Sequence, residues 1–374
     1  MRYYIIAGEA SGDLHGANLI TELKKLDIEA EFRVWGGDLM QAKGAELVKH
    51  YRHHAIMGVS EVVKNYKKIQ ENFSFCKLNI LEFNPHVVLF IDYSGFNLRM
   101  ARIMKPFGYK LFYYIAPQVW ASRQWRVKKI KQLIDKMFVI LPFEQDFYKP
   151  WGYDVTYVGH PILDEFEKKK ALIPSFDVFI EQNKLENKPI VALLPGSRKA
   201  EISTKLPLML EAAKKFPDYQ FVIAGAPSFG KEYYAQFIGN ENIKLLFDQT
   251  YEILQHSQAA LVTSGTATLE TALFNVPHVV CFLTSKLNYL LAKMLINVKY
   301  VSLVNIIMDK VVNVELLQHN LTVENLILEL DKMLNNEEYR QYMISNYAEL
   351  FKKLGGAGAS KRAANGIFNA LKNE

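Results

Sequence analysis

Residues 261–277 read LVTSGTATLETALFNVP. Just before and into this stretch, Ala259, Ala260, Leu261 and Val262 form an unbroken apolar run, the pattern of a short parallel strand buried on both faces. Thr263, Ser264, Gly265 and Thr266 follow, and then a run of good helix formers, ATLETALF. A glycine and small hydroxyl residues between strand and helix leave several backbone N–H groups unpaired at the positive end of the helix. Such an end attracts anions, phosphate above all. Glu270 falls four residues beyond Thr266, one turn deeper on the same face, where a carboxylate can accept hydrogen bonds from a ribose diol. The same residues also fit a capped core helix with a solvated glutamate, and this stretch alone leaves both open.

The residues to either side favour the ligand. Ile190–Leu194 is a second buried strand, and it enters Pro195-Gly196-Ser197-Arg198. Gly196 lets the backbone approach a ligand closely beside Ser197, and the Arg198 fork can grip a diphosphate. Two strand–loop–helix phosphate sites in one domain point to a nucleoside diphosphate. Apolar runs at 219–225, 243–246 and 278–282 alternate with helical segments, as a parallel sheet requires. An amphipathic helix is expected over 286–297, and Gly355–Ser360 should break one helix and start the last.

The first half repeats the alternation. Tyr3–Ala7 is a strand, followed by GEASGD at 8–13 and a helix to about Lys25, the opening unit of a doubly wound sheet. The G-x-G-x-x-G spacing of dinucleotide sites is absent. Glu9 and Ser11 therefore suit an uncharged, hydroxyl-rich ligand, unless the loop is only a helix-capping turn. The strand at 86–92 ends on Asp92, and an acid at the carboxyl end of a parallel strand points into a ligand crevice. Low dielectric there raises its pKa toward that of a general base, which makes Asp92 the candidate base; a cap for the next helix is the other reading.

Over 56–75, Val59, Val62, Val63, Tyr66, Ile69 and Phe73 form an apolar stripe at helical spacing, interleaved with Lys64, Lys67 and Lys68, with Met57 a further lipid-side candidate just ahead of it. Most of that stripe is expected to face the core, with its open end available to a lipid. Trp120 and Arg123 begin a basic, tryptophan-containing segment that suits an anionic headgroup or, equally, a solvated helix. His160, before Pro161, either approaches a phosphate or shapes a turn.

With 374 residues the chain has room for two domains, and 22% charged residues is the balance of a globular chain. No apolar run approaches the ~20 residues that span a bilayer. Cys76 and Cys281 make neither a disulfide framework nor a metal-ligand pattern, which suits a reducing cytoplasm. A net charge of +6 fits an anionic ligand or membrane surface without demanding one.

The motifs also carry a resemblance. GEASGD at 8–13, MGVSEV at 57–62, the Asp92-ended strand with Phe96-Asn97, LPFE at 141–144, VGHP at 158–161, LLPGSR at 193–198, SGTATLE at 264–270 and YVSLVN at 300–305 occur in the order seen in lipid-A-disaccharide synthases. The resemblance covers nearly the whole chain. It implies an α/β fold of GT-B type, two Rossmann-like doubly wound parallel-sheet domains facing across a cleft. Residues 1–165 with the C-terminal helix 355–374 would form the acceptor domain, 166–188 a linker and 189–354 the UDP-sugar domain. It implies an inverting transferase that joins UDP-2,3-diacylglucosamine to the 6-hydroxyl of 2,3-diacylglucosamine 1-phosphate, releasing UDP and the β(1→6) disaccharide. Asp92 matches the family's base, with Glu9 and Ser11 at active-site positions. Gly196, Ser197, Arg198, Ser264, Gly265, Thr266, Glu270 and Asn305 match the UDP side, with Gln318 as a weaker addition.

No cofactor or metal is implied, and the sequence shows no Asp-x-Asp pair to hold one. The expected setting is the cytoplasmic face of the inner membrane, bound peripherally through Met57, Val62, Val63, Tyr66, Trp120 and Arg123, with no nucleic-acid partner and a homodimer left open. A UDP-N-acetylglucosamine 2-epimerase of the same architecture is the rival enzyme, and a lipid-binding protein without catalysis is the non-enzymatic one. Two departures stand out. Gly95 occupies the place of a second acid three residues after the base, and APQVWAS at 116–122 replaces the family's SPSVWAW.

Overall fold

The runs VVLFI and IVALL are buried at every position, which a strand meets only in a sheet covered on both faces. A computed structural model of the chain describes residues 1–53, 66–239, 243–285, 289 and 298–373. It divides into a first unit, Met1–Asp164 with Gly356–Glu374, and a second, Glu165–Gly355. In the first unit β1 (Arg2–Ala7), β2 (Glu31–Gly36), β3 (Glu46–His50), β4 (Val87–Ile91), β5 (Lys110–Tyr114), β6 (Lys136–Val139) and β7 (Thr156–Tyr157) form a parallel sheet in the order β3-β2-β1-β4-β5-β6-β7. In the second, β8 (Ile190–Leu194), β9 (Gln220–Gly225), β10 (Lys244–Phe247), β11 (Ser257–Thr263), β12 (His278–Phe282) and β13 (Glu315–Leu317) run β10-β9-β8-β11-β12-β13, again all parallel.

Each sheet therefore reverses its winding once, between β1 and β4 in the first unit and between β8 and β11 in the second. Ligands of open α/β sheets bind outside the carboxyl ends of the strands at such a reversal. Edge strand β3 escapes the sequence reading because its side chains are half-buried or exposed and show no clean alternation.

In the first unit, Asp13 lies in the opening helix, Ala10–Leu26, and is buried. Its carboxylate accepts hydrogen bonds from the backbone N–H groups of Gly37 (2.8 Å), Leu39 (3.0 Å) and Met40 (3.1 Å), which offset the cost of burying a charge and pin the turn after β2. The last helix, Ala359–Lys372, puts Ala363, Ala364 and Ile367 into the same core as Leu19, Ile20 and Leu23. Asp164 accepts from the backbone N–H groups of Gly358, Ala359 and Ser360 at the start of that helix. A Cβ on Gly366 would come within 2.5 Å of the Phe138 ring, so the helix lies close against the end of β6.

Residues 166–188, expected as a linker, contain the end of the helix Ile162–Lys170 and the helix Phe176–Asn183. Phe179 of the latter is fully buried in the core of the second unit, beside Ile190 and Ala192. The weak periodicity of this lysine-rich segment hid one deeply packed position. Apart from Tyr289, the helix expected over 286–297 lies outside the described residues.

Candidate active site

The reversal point of the second unit joins the two motifs that the sequence places far apart. Leu194 of β8 pairs with Val262 of β11, so the loops that follow the two strands are neighbours. After β8, Gly196 takes φ 116°, a left-handed conformation, and a Cβ there would fall 2.5 Å from Glu201 Oε2. Glu201 accepts from the backbone N–H groups of Ser197 (3.0 Å) and Arg198 (3.3 Å), so these two amides are already partnered. The Arg198 side chain is exposed, and among the described residues no carboxylate forms an ion pair with it.

After β11, Gly265 takes φ 151° and leads into the helix Thr266–Leu273 without offering it a side-chain cap. The first amides of that helix are thus open to an anion. The Ser264 hydroxyl donates to the Val301 carbonyl (2.9 Å), fixing the turn. The two loops line one cavity of about 440 Å³: Gly196, Ser197 and Arg198 from one, Ser264, Gly265 and Thr266 from the other, with Glu270 deeper along the helix. Glu270 accepts from the Tyr251 hydroxyl (2.9 Å), which leaves its second oxygen for a ligand. Burial raises its pKa above the usual carboxylate value, against the Tyr251 bond and the nearby Lys169 ammonium.

At the other reversal point, Ala7 of β1 pairs with Ile91 of β4, which brings the chain at Glu9 and at Asp92 to neighbouring strand ends. Asp92 and Tyr93 both take φ 45°, a strained conformation for consecutive non-glycine residues. Their surroundings enforce it. The Asp92 carbonyl accepts from the Tyr113 hydroxyl and from the buried Asn97 amide (2.8 Å), and Asn97 reaches on to the Ile91 carbonyl (3.3 Å). Tyr93 lies across Gly8, where an added Cβ would be 2.2 Å from the ring.

The Asp92 side chain is open to solvent on one side, yet the protein around it raises its pKa. Desolvation is the main cause and the Glu9 carboxylate the second, against one hydrogen bond from the Tyr93 N–H. Asp92 is not the capping residue of the next helix: Tyr93 holds that position, and its side chain makes no cap bond. Glu9 and Ser11 are exposed, and Glu9 likewise makes no cap bond to its helix.

A family profile described as lipid-A-disaccharide synthetase matches residues 3–367. The chain is 35% identical to the lipid-A-disaccharide synthase of Geobacter metallireducens, over 99% of this chain and 97% of that one. It is 38% identical to that of Syntrophus aciditrophicus, over 96% and 95%, and 36% identical to one from Coxiella burnetii, over 98% of each. The chain belongs to the lipid-A-disaccharide synthase family.

Among solved structures it resembles a UDP-GlcNAc 2-epimerase from Neisseria meningitidis bound to UDP-GlcNAc, with TM-score 0.67 and 16% identity over 99% of this chain and 100% of that one. It also resembles CalG4, the calicheamicin glycosyltransferase, with TM-score 0.61 and 14% identity over 100% and 98%. At such identities the likeness is one of fold, the GT-B arrangement of two parallel-sheet α/β domains.

Several site residues of this synthase-family chain lie elsewhere than expected. Asn305 is fully buried and does not line the cavity. Its amide donates to the Asn313 carbonyl (2.8 Å) and to Glu315 (2.9 Å), and its oxygen accepts from the Val312 and Asn313 amides. Glu315 in turn accepts from the Val301 and Ser302 amides, so Asn305 supports the loop that holds Ser264. Gln318 is also away from the cavity, its side-chain amide facing the backbone of Thr284.

Trp120 is 7% exposed and packs edge-on against Phe143, which removes it from any membrane surface; the exposed tryptophan of that segment is Trp125, at 58%. Arg123 is exposed, in a left-handed turn closed by the Arg126 amide (2.9 Å). Met57, Val62, Val63 and the Tyr66 side chain lie outside the described residues. His160 is buried, held neutral with its pKa lowered to about 3 by burial and by His15, and its ring accepts from the Ile162 amide: it shapes the turn. Sequence reading missed Glu201 and Tyr251. A glutamate three residues after Arg198 at a helix start was the available signal for Glu201; none existed for Tyr251, which meets Glu270 only through the fold.

Proposed function

We propose that the two reversal points divide the family's reaction between them. The protein makes the lipid A disaccharide by glycosyl transfer: UDP-2,3-diacylglucosamine is the donor, and the 6-hydroxyl of 2,3-diacylglucosamine 1-phosphate is the acceptor. Asp92 takes the proton of that hydroxyl as the oxygen attacks the donor's anomeric carbon. The bond from that carbon to the UDP oxygen breaks on the opposite face, so the configuration inverts and UDP leaves with the electron pair. The open end of the helix Thr266–Leu273 and the Arg198 guanidinium stabilise the charge that grows on the leaving diphosphate, and Glu270 accepts from the ribose. Glu9 keeps the Asp92 pKa up, which makes Asp92 a stronger base once ionised, and Ser11 offers a hydroxyl to the acceptor sugar.

The observation that carries this reading is the cavity in which residues 196–198 and 264–270 meet, across the switch in strand order where a nucleotide is expected. Membrane contact is peripheral in this reading: among the described residues no helix is long and apolar enough to cross a bilayer, and Trp125 is exposed within a basic segment.

The test is UDP release from UDP-2,3-diacylglucosamine in detergent, with and without 2,3-diacylglucosamine 1-phosphate. Acceptor-dependent release with a disaccharide product is the expected result. Release without acceptor would point to epimerase or hydrolase chemistry instead.

A further inference from the structure

The first unit has another concavity, of about 470 Å³, lined from the helices Ser94–Met104 and Val127–Leu133 and the turn before the second. Arg99 and Arg102 come from the first helix, and Arg126 and Lys129 from the second segment. Leu98, Ile130 and Leu133 give it an apolar side, and the exposed Trp125 lines it too. Among the described residues no acidic one lines it. Among the described residues no carboxylate forms an ion pair with any of the four cations, whereas Lys105, just beyond the first helix, is paired with Asp135.

Aromatic rings hold two of these charges without neutralising them. The Arg99 guanidinium lies over Phe73 at 4.6 Å, and the Lys129 ammonium over Trp125 at 5.4 Å. Uncompensated like charges around one concavity repel one another, and a multivalent anion relieves that repulsion. A phosphate monoester carries about −1.5 to −2 at neutral pH and accepts bidentate bonds from arginine. Apolar residues and an exposed tryptophan beside the cations suit a phosphate attached to a lipid rather than a free ion.

The pocket also reaches the start of the helix that follows the candidate base. Gly95 lines it, one residue into the helix that starts just after Asp92, and a Cβ at Gly95 would meet nothing within 4 Å. Along the helix Arg99 stands about 6 Å beyond Gly95, the scale of a pyranose ring, and Arg102 about 10.5 Å beyond it, within the reach of a long side chain that leans back toward the helix start.

We propose that this pocket binds the phosphate monoester of the acceptor, holding 2,3-diacylglucosamine 1-phosphate by its 1-phosphate while its 6-hydroxyl faces Asp92. This rests on the transferase reading above and adds the acceptor's anchor to it. Arg102 and Lys129 are exposed, so they can be changed without opening the core.

The test compares wild type with R102Q/K129Q in micelles of neutral detergent, using the phosphorylated acceptor and the same lipid without its phosphate. Loss of two charge-assisted contacts should raise KM for the phosphorylated acceptor about tenfold or more, with KM for the UDP-sugar unchanged. The acceptor without phosphate should be used equally poorly by both proteins, and R102K/K129R should restore the phosphorylated one. Equal losses on both acceptors, no loss, or no rescue by R102K/K129R would overturn the proposal. A loss seen only after phosphatidylglycerol is added to the micelles would also overturn it, assigning the cations to bilayer lipid. Wild type that makes no disaccharide from either acceptor would sink the reaction itself, an outcome distinct from a loss confined to the phosphorylated lipid.

Discussion

The two reversal points share a topology and differ in charge. Between β1 and β4 the chain sets two carboxylates, Glu9 and Asp92, at neighbouring strand ends, and their mutual repulsion helps to keep the Asp92 pKa up. Between β8 and β11 it sets an open helix end and an arginine that no carboxylate pairs among the described residues. One end therefore draws a proton and the other an anion. Strand order fixes where a ligand can sit, and a handful of loop residues decide what chemistry it meets there.

The contrast can be broken most sharply at Asp92. In D92N the shape stays and the proposed base goes, so turnover should fall by about 10²–10⁴-fold while UDP affinity measured by calorimetry is unchanged. A parallel fall in UDP affinity would mean that the two ends do not act separately. At the other end, R198A should weaken UDP binding by roughly 10–100-fold, the worth of a charged hydrogen-bond pair, and leave the pH dependence of turnover where it was.

Gly196→Ala forces a side chain into a left-handed turn and against Glu201, and it should cost the second unit about 1–3 kcal/mol in denaturant unfolding. An unchanged midpoint would show that Glu201 yields easily. A smaller effect is expected from Y251F, a few-fold loss of UDP affinity. The Tyr251 bond lowers the Glu270 pKa, so without it Glu270 protonates at higher pH and the loss should grow as pH falls.

The finest adjustment concerns Glu9. Asp92 must be ionised to accept a proton, and Glu9 holds its pKa up, so in E9Q the acid limb of kcat/KM should move to lower pH. A limb that stays in place would remove Glu9 from the electrostatics of the base.

What the sequence revealed and what it hid follow from the range of the interactions. Ile190–Leu194 and His278–Phe282 could be read residue for residue because unbroken apolar runs have few other fates in an α/β chain. Gly196 and Gly265 marked their loops because a tight turn before a helix needs them. Asn305 misled because a polar side chain beside a site looks the same in sequence whether it meets a ligand or, as here, another loop. Trp120 and Trp125 are five residues apart in an irregular stretch with no periodicity to say which one turns inward. Tyr251 stands 19 residues from its partner Glu270, a distance in sequence that no local pattern bridges.

The return of the last helix to the first unit bears on how the chain is born. Unit two is one continuous segment, Glu165–Gly355, and it can close as soon as it leaves the ribosome. Unit one cannot, because Ala363, Ala364 and Ile367 belong to its core and Asp164 waits for the amides of residues 358–360. At about 5–20 residues per second the intervening segment takes on the order of ten to forty seconds to make, and through that interval the face of the first sheet meant for this helix stays uncovered. The usual N-terminal-first order of maturation is thus reversed, and the half that carries Asp92 is completed last.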